Sequence, residues 1–204
     1  MQIIKANNLG EAWKKSLFKI YKYGKIMDDD KGKIKELLDF LIIIRQIKKN
    51  DPIIKRYANK KTIKWMKQNF EQTEPMNNWG YSYGQRLYNF GGVNQIKSII
   101  QKLKKNPVAK SATISLMLPP NDTKHVPCLV ALDFKVRNKK LITTAFFRSQ
   151  DIGKKFYADA IAIKLLTNKI AKALSIQLTE FVFFIKSAHF YLDDIGQLKD
   201  MLKL

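Results

Sequence analysis

Residues with chemical potential concentrate in three short stretches: Pro127-Cys128, Arg148-Ser149-Gln150-Asp151 and His189-Phe190-Tyr191. A thiol becomes a useful nucleophile where a cation stabilises its thiolate, and Arg148 is placed to do so if the strands carrying the two residues pair. The Arg-Ser pair also suits a phosphate, since it offers a charged fork and a hydroxyl. Cys128 is the single cysteine of the chain, so it forms no internal disulfide and is either a buried small hydrophobe or a reactive thiol. Taken singly, each residue has a plainer reading: a core Cys, a surface Arg, a His satisfied by backbone.

The elements that must position these residues follow from periodicity. Asn8 followed by Glu11 resembles a capping box, and Trp13, Leu17, Ile20 and Gly24 recur on one helical face, which predicts a helix over residues 9–25. Residues 27–32 read as a polar loop. Residues 34–44 are a dense apolar run interrupted by Glu36 and Asp39, and a carboxylate in such a run needs a reason. Residues 50–80 are weakly patterned, with Trp65, Phe70 and Trp79 as scattered anchors, and read as short helices and loops. Val93, Ile96, Ile99, Ile100 and Leu103 give a helical period that Asn106-Pro107 stops.

Three short β-rich segments follow, at residues 112–118, 128–136 and 141–148, separated by Pro-Pro-Asn-Asp and Arg-Asn-Lys-Lys turns. They predict neighbouring strands of one sheet. A further helix is expected over residues 156–174 and a further strand over 181–185, with His189 just beyond it. Cys128 then opens one strand and Asp151 closes the next, which places their polar side chains at a sheet rim. The order is mixed, giving one α+β domain over residues 1–204, a mixed sheet packed against helices.

The 204 residues carry a net charge of +21, which invites a nucleic-acid partner because clustered cations neutralise phosphates. The cations are instead spread along the chain, and five of them are arginine, the residue best suited to bidentate phosphate and base contacts. A lysine-rich solvated surface explains the charge equally well. No run reaches the roughly 18 apolar residues of a membrane span and the start lacks signal-peptide order, so a cytoplasmic protein without a membrane partner is expected.

Together the three motifs resemble the thymidylate synthase family. That family's Pro-Cys nucleophile matches Pro127-Cys128, its Arg-Ser-x-Asp matches Arg148-Ser149-Gln150-Asp151, and its His-x-Tyr matches His189-Phe190-Tyr191. The separations of twenty residues from Cys128 to Arg148 and forty-one from Arg148 to His189 agree with the family's. Upstream, Glu36-Leu37-Leu38-x-Phe40-Leu41 is similar to its Glu-Leu-Leu-Trp-Phe-Leu, Tyr83-Gly84 to its Tyr-Gly, and Asn106-Pro107 to the turn before its shared arginines.

The resemblance implies a C5 one-carbon transferase, methyl or hydroxymethyl, acting on a pyrimidine nucleoside 5′-monophosphate. Cys128 would add to C6 of the base, Glu36 would organise proton transfer through water, and Tyr83 would assist removal of the C5 proton. Arg148 and Ser149 would hold the phosphate, and His189 and Tyr191 would meet the sugar 3′-hydroxyl. Asp151 would face the pterin of 5,10-methylene-tetrahydrofolate or a methanopterin analogue. The fold would be the family's, its sheet face packed on a twofold mate in a homodimer. Lys110 would reach the partner's phosphate, and no metal is called for.

Several positions depart from the family. Lys110-Ser111 stands for its paired arginines, Phe147 for a Gln, and Leu129 for the His after the nucleophile. The amino-terminal phosphate arginine has no placed counterpart. Thirteen residues follow Tyr191, short of the segment that closes over folate in typical members and closer to a short archaeal branch. Asp159 falls where typical members carry the base-reading Asn; deoxycytidylate hydroxymethylases and cytidylate relatives carry Asp there, which leans toward dCMP or CMP. Its plainer reading is a solvated helix carboxylate. The alternatives are a thymidylate synthase proper using dUMP, a basic nucleic-acid-binding module, and an inactive homologue.

Overall fold

A computed structural model describes residues 1–76, 80–119 and 121–202 of the chain; Trp79 and Pro120, named above, lie outside them. A seven-stranded mixed sheet runs in the order β1-β3-β7-β6-β5-β4, with β2 also paired to β3. The strands are β1 (Gln2–Ala6), β2 (Lys25–Asp29), β3 (Gly32–Ile44), β4 (Thr113–Ser115), β5 (Leu129–Arg137), β6 (Lys140–Asp151) and β7 (Gln177–Tyr191). The helices are α1 (Leu9–Tyr23), α2 (Pro52–Tyr57), α3 (Lys60–Glu71), α4 (Tyr83–Tyr88), α5 (Gln95–Lys105), α6 (Phe156–Ala173) and α7 (Ile195–Leu202). The expected α+β architecture is present.

Helix α1 starts as its residues predict: Asn8 accepts from the Glu11 amide at 2.9 Å while Glu11 accepts from the Asn7 amide at 2.9 Å. Trp13, Leu17 and Ile20 go into the core against Phe40, Ile42 and Ile44 of β3 and Phe183 and Ile185 of β7. Each of these side chains is almost fully buried, so each contributes on the order of 2 kcal/mol of transfer free energy. The opposite face of the sheet is open. There Phe146 and Phe184 stand exposed, their rings with centroids 6.3 Å apart.

Four expectations are corrected. Residues 27–32 form no loop: β2 pairs antiparallel with β3 through a turn at Asp30-Lys31. All five β2 residues are exposed, so no side-chain alternation could mark the strand. α1 ends at Tyr23, because the Gly24 amide closes on the Ile20 carbonyl and the chain then turns extended. β4 is shorter than 112–118, its continuation diverted at Leu116 and Leu118 by side chains described below. β7 is much longer than 181–185 and carries His189 and Tyr191 within it. Its outer half alternates polar and apolar residues because those polar side chains face a site.

A kink in β3 fits two partners onto one strand. Asp39 adopts φ 55° between the β2-paired and β1-paired halves, and its carboxylate accepts from Lys186 Nζ at 2.7 Å. Asp is among the residues that tolerate this left-handed conformation. The carboxylate in the apolar run is thereby accounted for.

Candidate active site

The antiparallel pairing of β5 with β6 sets Leu129 opposite Phe147, and the Arg148 amide donates to the Cys128 carbonyl at 2.9 Å. Cys128 therefore stands at the mouth of the ladder, half-buried. Ser149 Oγ, not the Arg148 guanidinium, is the group at the thiol, 3.7 Å from Sγ. Arg148 instead donates through Nη2 to the Val126 carbonyl at 2.8 Å and through Nε to the Pro127 carbonyl at 3.2 Å. Its third contact, Nη1 to Ser149 Oγ, is 3.4 Å. The arginine thus braces the segment that delivers the thiol and keeps its charge beside the Ser149 hydroxyl.

Tyr83 reaches the same place from α4. Ser82 caps the helix, accepting from the Gln85 amide at 2.9 Å, and its hydroxyl donates to the Gln72 carbonyl at 2.8 Å. The Gly84 of the Tyr-Gly pair is required by this close approach, since a Cβ there would stand 2.1 Å from the Gln72 carbonyl oxygen. The buried Tyr83 hydroxyl accepts from the Leu129 amide at 3.2 Å. Burial, and next the negative charge of a Cys128 thiolate, hold its phenol well above the ordinary range, so it stays protonated.

The sequence reading did not single out Tyr81 or Arg86. Tyr81 is buried between Tyr83, 6.3 Å away ring to ring, and the Arg86 guanidinium, 4.0 Å over its face. Burial first, then Cys128, push its phenol up to about 12. Arg86 is itself buried, forks onto the Asp122 carboxylate and also donates to the Leu116 carbonyl. Asp122 in turn accepts from the Leu118 amide at 2.6 Å. This clamp diverts the chain after β4 toward Cys128. A mid-helix arginine and a loop aspartate 36 residues apart carry no local pattern to announce such a pair.

A polar cluster forms where β3, β7 and β6 end side by side. His189 lies opposite Glu36 on one neighbour and Asp151 on the other. Ser187, two residues back on the same face, donates its hydroxyl to Glu36 and lies 3.4 Å from His189 Nδ1. Tyr191 packs edge-on to His189 at 5.7 Å and donates its hydrogen to Asp29 of β2 at 2.8 Å, which leaves its oxygen as an acceptor. Asp151 accepts from the Lys154 amide at 3.0 Å, and its burial pushes the carboxyl upward. Period-two spacing from His189 was the available signal for Ser187; Asp29 had none, its strand being exposed throughout.

Asp159 is no solvated helix carboxylate. It lies in the first turn of α6, 3% exposed, and accepts from Gln150 Nε2 at 2.8 Å. Burial pushes its carboxyl up to about 7, against the opposing pull of the Gln150 bond. The charge of an ionised Asp159 would raise the Tyr83 phenol further, after burial and Cys128. Lys110 sits apart, exposed in the turn between α5 and β4, and makes no ion pair among the described residues.

Among the described residues no three His, Cys, Asp or Glu side chains gather as a metal site, and no helix is long and apolar enough to cross a membrane. A groove of about 530 Å³ beside α1, lined by Ile4, Glu11, Phe18, Ile53 and Leu202 among others, contains none of the candidate site residues.

A mixed sheet whose rim gathers a thiol, a hydroxyl, an arginine, two neutral phenols and a buried carboxyl defines an α+β protein with a polar candidate site at one end of its sheet. Residues 29–204 match the thymidylate synthase family, and the chain belongs to it. It is 31% identical over 206 residues to a candidate thymidylate synthase of Methanosarcina mazei, covering 99% of this chain and 95% of that one. A candidate thymidylate synthase of Methanothermobacter thermautotrophicus is 27% identical over 217 residues, with 98% of each chain covered.

Proposed function

We propose that this protein is a C5 one-carbon transferase acting on a pyrimidine nucleoside 5′-monophosphate in the cytoplasm, with Cys128 as covalent nucleophile. The observation that carries the reading is the convergence of Cys128, Ser149, Tyr83 and the Gln150–Asp159 pair at one end of the sheet.

In this reading Arg148 and Ser149 hold the phosphate, and the 3′-hydroxyl donates to the Tyr191 oxygen beside His189. The Cys128 thiolate adds to C6, and the electron pair of the C5–C6 double bond makes C5 nucleophilic toward the incoming carbon. Unactivated C5 is too weak a nucleophile to react without that addition. Loss of the C5 proton would expel the carrier nitrogen from the transferred carbon, and hydride from the reduced carrier or water would then add to that carbon as the thiolate leaves C6 and the ring double bond is restored. Tyr83, a neutral phenol beside the thiol, orders the water that takes the C5 proton. Glu36, bridged by Ser187 to His189, relays protons at the base.

The carbon would be supplied by a methylene-tetrahydrofolate or a methanopterin analogue as co-substrate. Asp151 fits that role chemically: its second oxygen takes no hydrogen bond among the described residues and can accept from a pterin edge. The open face around Phe146 and Phe184 supports a homodimer, in which Lys110 would approach the partner's phosphate.

Asp159 as the base-reading residue favours cytosine, because an ionised carboxylate accepts from the 4-amino group and is repelled by the uracil O4. A carboxyl poised at about 7 also gives the uracil reading a physical basis, since its neutral form can donate to O4. Mass spectrometry of product from dCMP, CMP and dUMP with methylene-tetrahydrofolate separates the two. Cys128→Ser is expected to abolish turnover and leave the melting temperature within a few degrees; near-normal turnover by that variant removes the covalent mechanism.

A further inference from the structure

Gln150 stands in none of the roles assigned so far. It is 2% exposed near the end of β6, and its Nε2 donates to Asp159 Oδ2 at 2.8 Å. Oδ1 of Asp159 takes no hydrogen bond among the described residues. A buried amide and a buried carboxyl joined through one oxygen leave the other oxygen as the group that can meet a ligand. The pair has no structural duty elsewhere: α6 starts at Phe156 without a side-chain cap, so Asp159 does not secure that helix end.

We propose that Gln150 is a specificity-determining positioning residue, which commits Asp159 Oδ2 to its amide and so makes Oδ1 the single oxygen that reads position 4 of the base. The inference rests on the nucleotide reading given above. Because Oδ2 accepts an N–H, the neutral acid keeps its carbonyl there and carries its proton on Oδ1. Oδ1 is then a donor when Asp159 is neutral and an acceptor when it is ionised. Uracil O4 is an acceptor and needs the proton; the cytosine 4-amino group is a donor and needs the bare oxygen. Base choice therefore depends on one proton at one atom.

The charged and titratable groups acting on this carboxyl from its surroundings are few. Lys155, one turn earlier, favours the ionised form, and Asp151 at the end of β6 opposes it. Tyr83 approaches from α4 as a neutral phenol. The Gln150 bond favours the carboxylate, so its removal must make the proton harder to lose.

The test is direct binding of dUMP and dCMP by calorimetry between pH 5.5 and 8.5, read as the ratio of the two affinities. The ratio cancels the phosphate titration that both nucleotides share. For the wild-type protein, dUMP should lose ground to dCMP by up to tenfold per pH unit above the carboxyl pKa of about 7. Gln150→Leu should displace that fall upward by about one pH unit, roughly tenfold in the ratio at a fixed pH, the worth of one charge-assisted hydrogen bond. Gln150→Glu should displace it in the same direction and keeps the site polar if the leucine variant folds poorly. Asp159→Asn should flatten the ratio.

A wild-type ratio independent of pH overturns the proposal. So does a folded Gln150 variant whose curve superimposes on wild type, since a merely structural glutamine would lower both affinities without moving the titration. Persistence of the slope in Asp159→Asn overturns it by assigning the proton elsewhere. Failure of wild type to bind either nucleotide removes the nucleotide reading and this inference together.

Discussion

Replacing Asp159 by asparagine should stabilise the protein above neutral pH and do nothing below about pH 4. The carboxyl is buried, with its pKa raised from the ordinary 3.8 to about 7. Between these values the folded state retains a proton that the unfolded chain has released. Unfolding then releases a proton, so stability falls as pH rises through the window. Each pH unit costs the folded state about 1.4 kcal/mol, which accumulates to about 4 kcal/mol above pH 7. Asparagine is isosteric, carries no charge and can still accept from Gln150, so it escapes this cost while keeping the 2.8 Å bond.

For a chain of this size about 4 kcal/mol corresponds to roughly 10 °C in melting temperature. Melting curves of both proteins from pH 4 to 8.5, in low salt and without nucleotide, measure the difference. Asp151, also raised by burial, is common to both proteins and drops out of the comparison. Parallel curves, or a variant less stable than wild type at pH 8, would refute the claim that a lone buried carboxyl is held there at a cost. Such a cost at a site that packing alone would fill with an apolar residue is what a functional role in ligand reading requires.

Two further outcomes follow from the surface. Phe146→Glu on the open sheet face should convert a dimer into a monomer at micromolar concentration in sedimentation; a wild-type monomer would remove the shared-site role of Lys110. If the charge of +21 is a solvated lysine surface, DNA and RNA should bind weakly at physiological salt while a pyrimidine monophosphate raises the melting temperature. Nanomolar nucleic-acid binding without any nucleotide shift would favour the basic binding module instead.

The elements legible in the sequence were those whose burial is one-sided and local. α1 announces itself by a cap and by the spacing of Trp13, Leu17 and Ile20, and α5 by its apolar stripe and the Asn106-Pro107 stop. β5 and β6 are β-rich and bounded by turns. β1 and β2 left little trace, the first because it is five residues long, the second because every side chain faces solvent. The far half of β7 was hidden for the opposite reason: Ser187 and His189, which serve a site, and Lys186, which pairs with Asp39, break its apolar run.

Residue types and spacing alone marked Cys128, Arg148, Ser149, Asp151, His189 and Tyr191 as a group, through motifs that lie in order along the chain. Tertiary structure decided what each touches. It turned Arg148 from the thiol to the Val126 and Pro127 carbonyls, gave the thiol contact to Ser149, and inserted Tyr81 and the Arg86–Asp122 clamp behind Tyr83. It also paired Asp159 with Gln150 and buried both. Contacts of that kind join residues 9 to 162 positions apart, so no local period encodes them. Whether a carboxyl is a solvated surface charge or a proton poised near neutrality depends on the water removed around it, and folding alone removes that water.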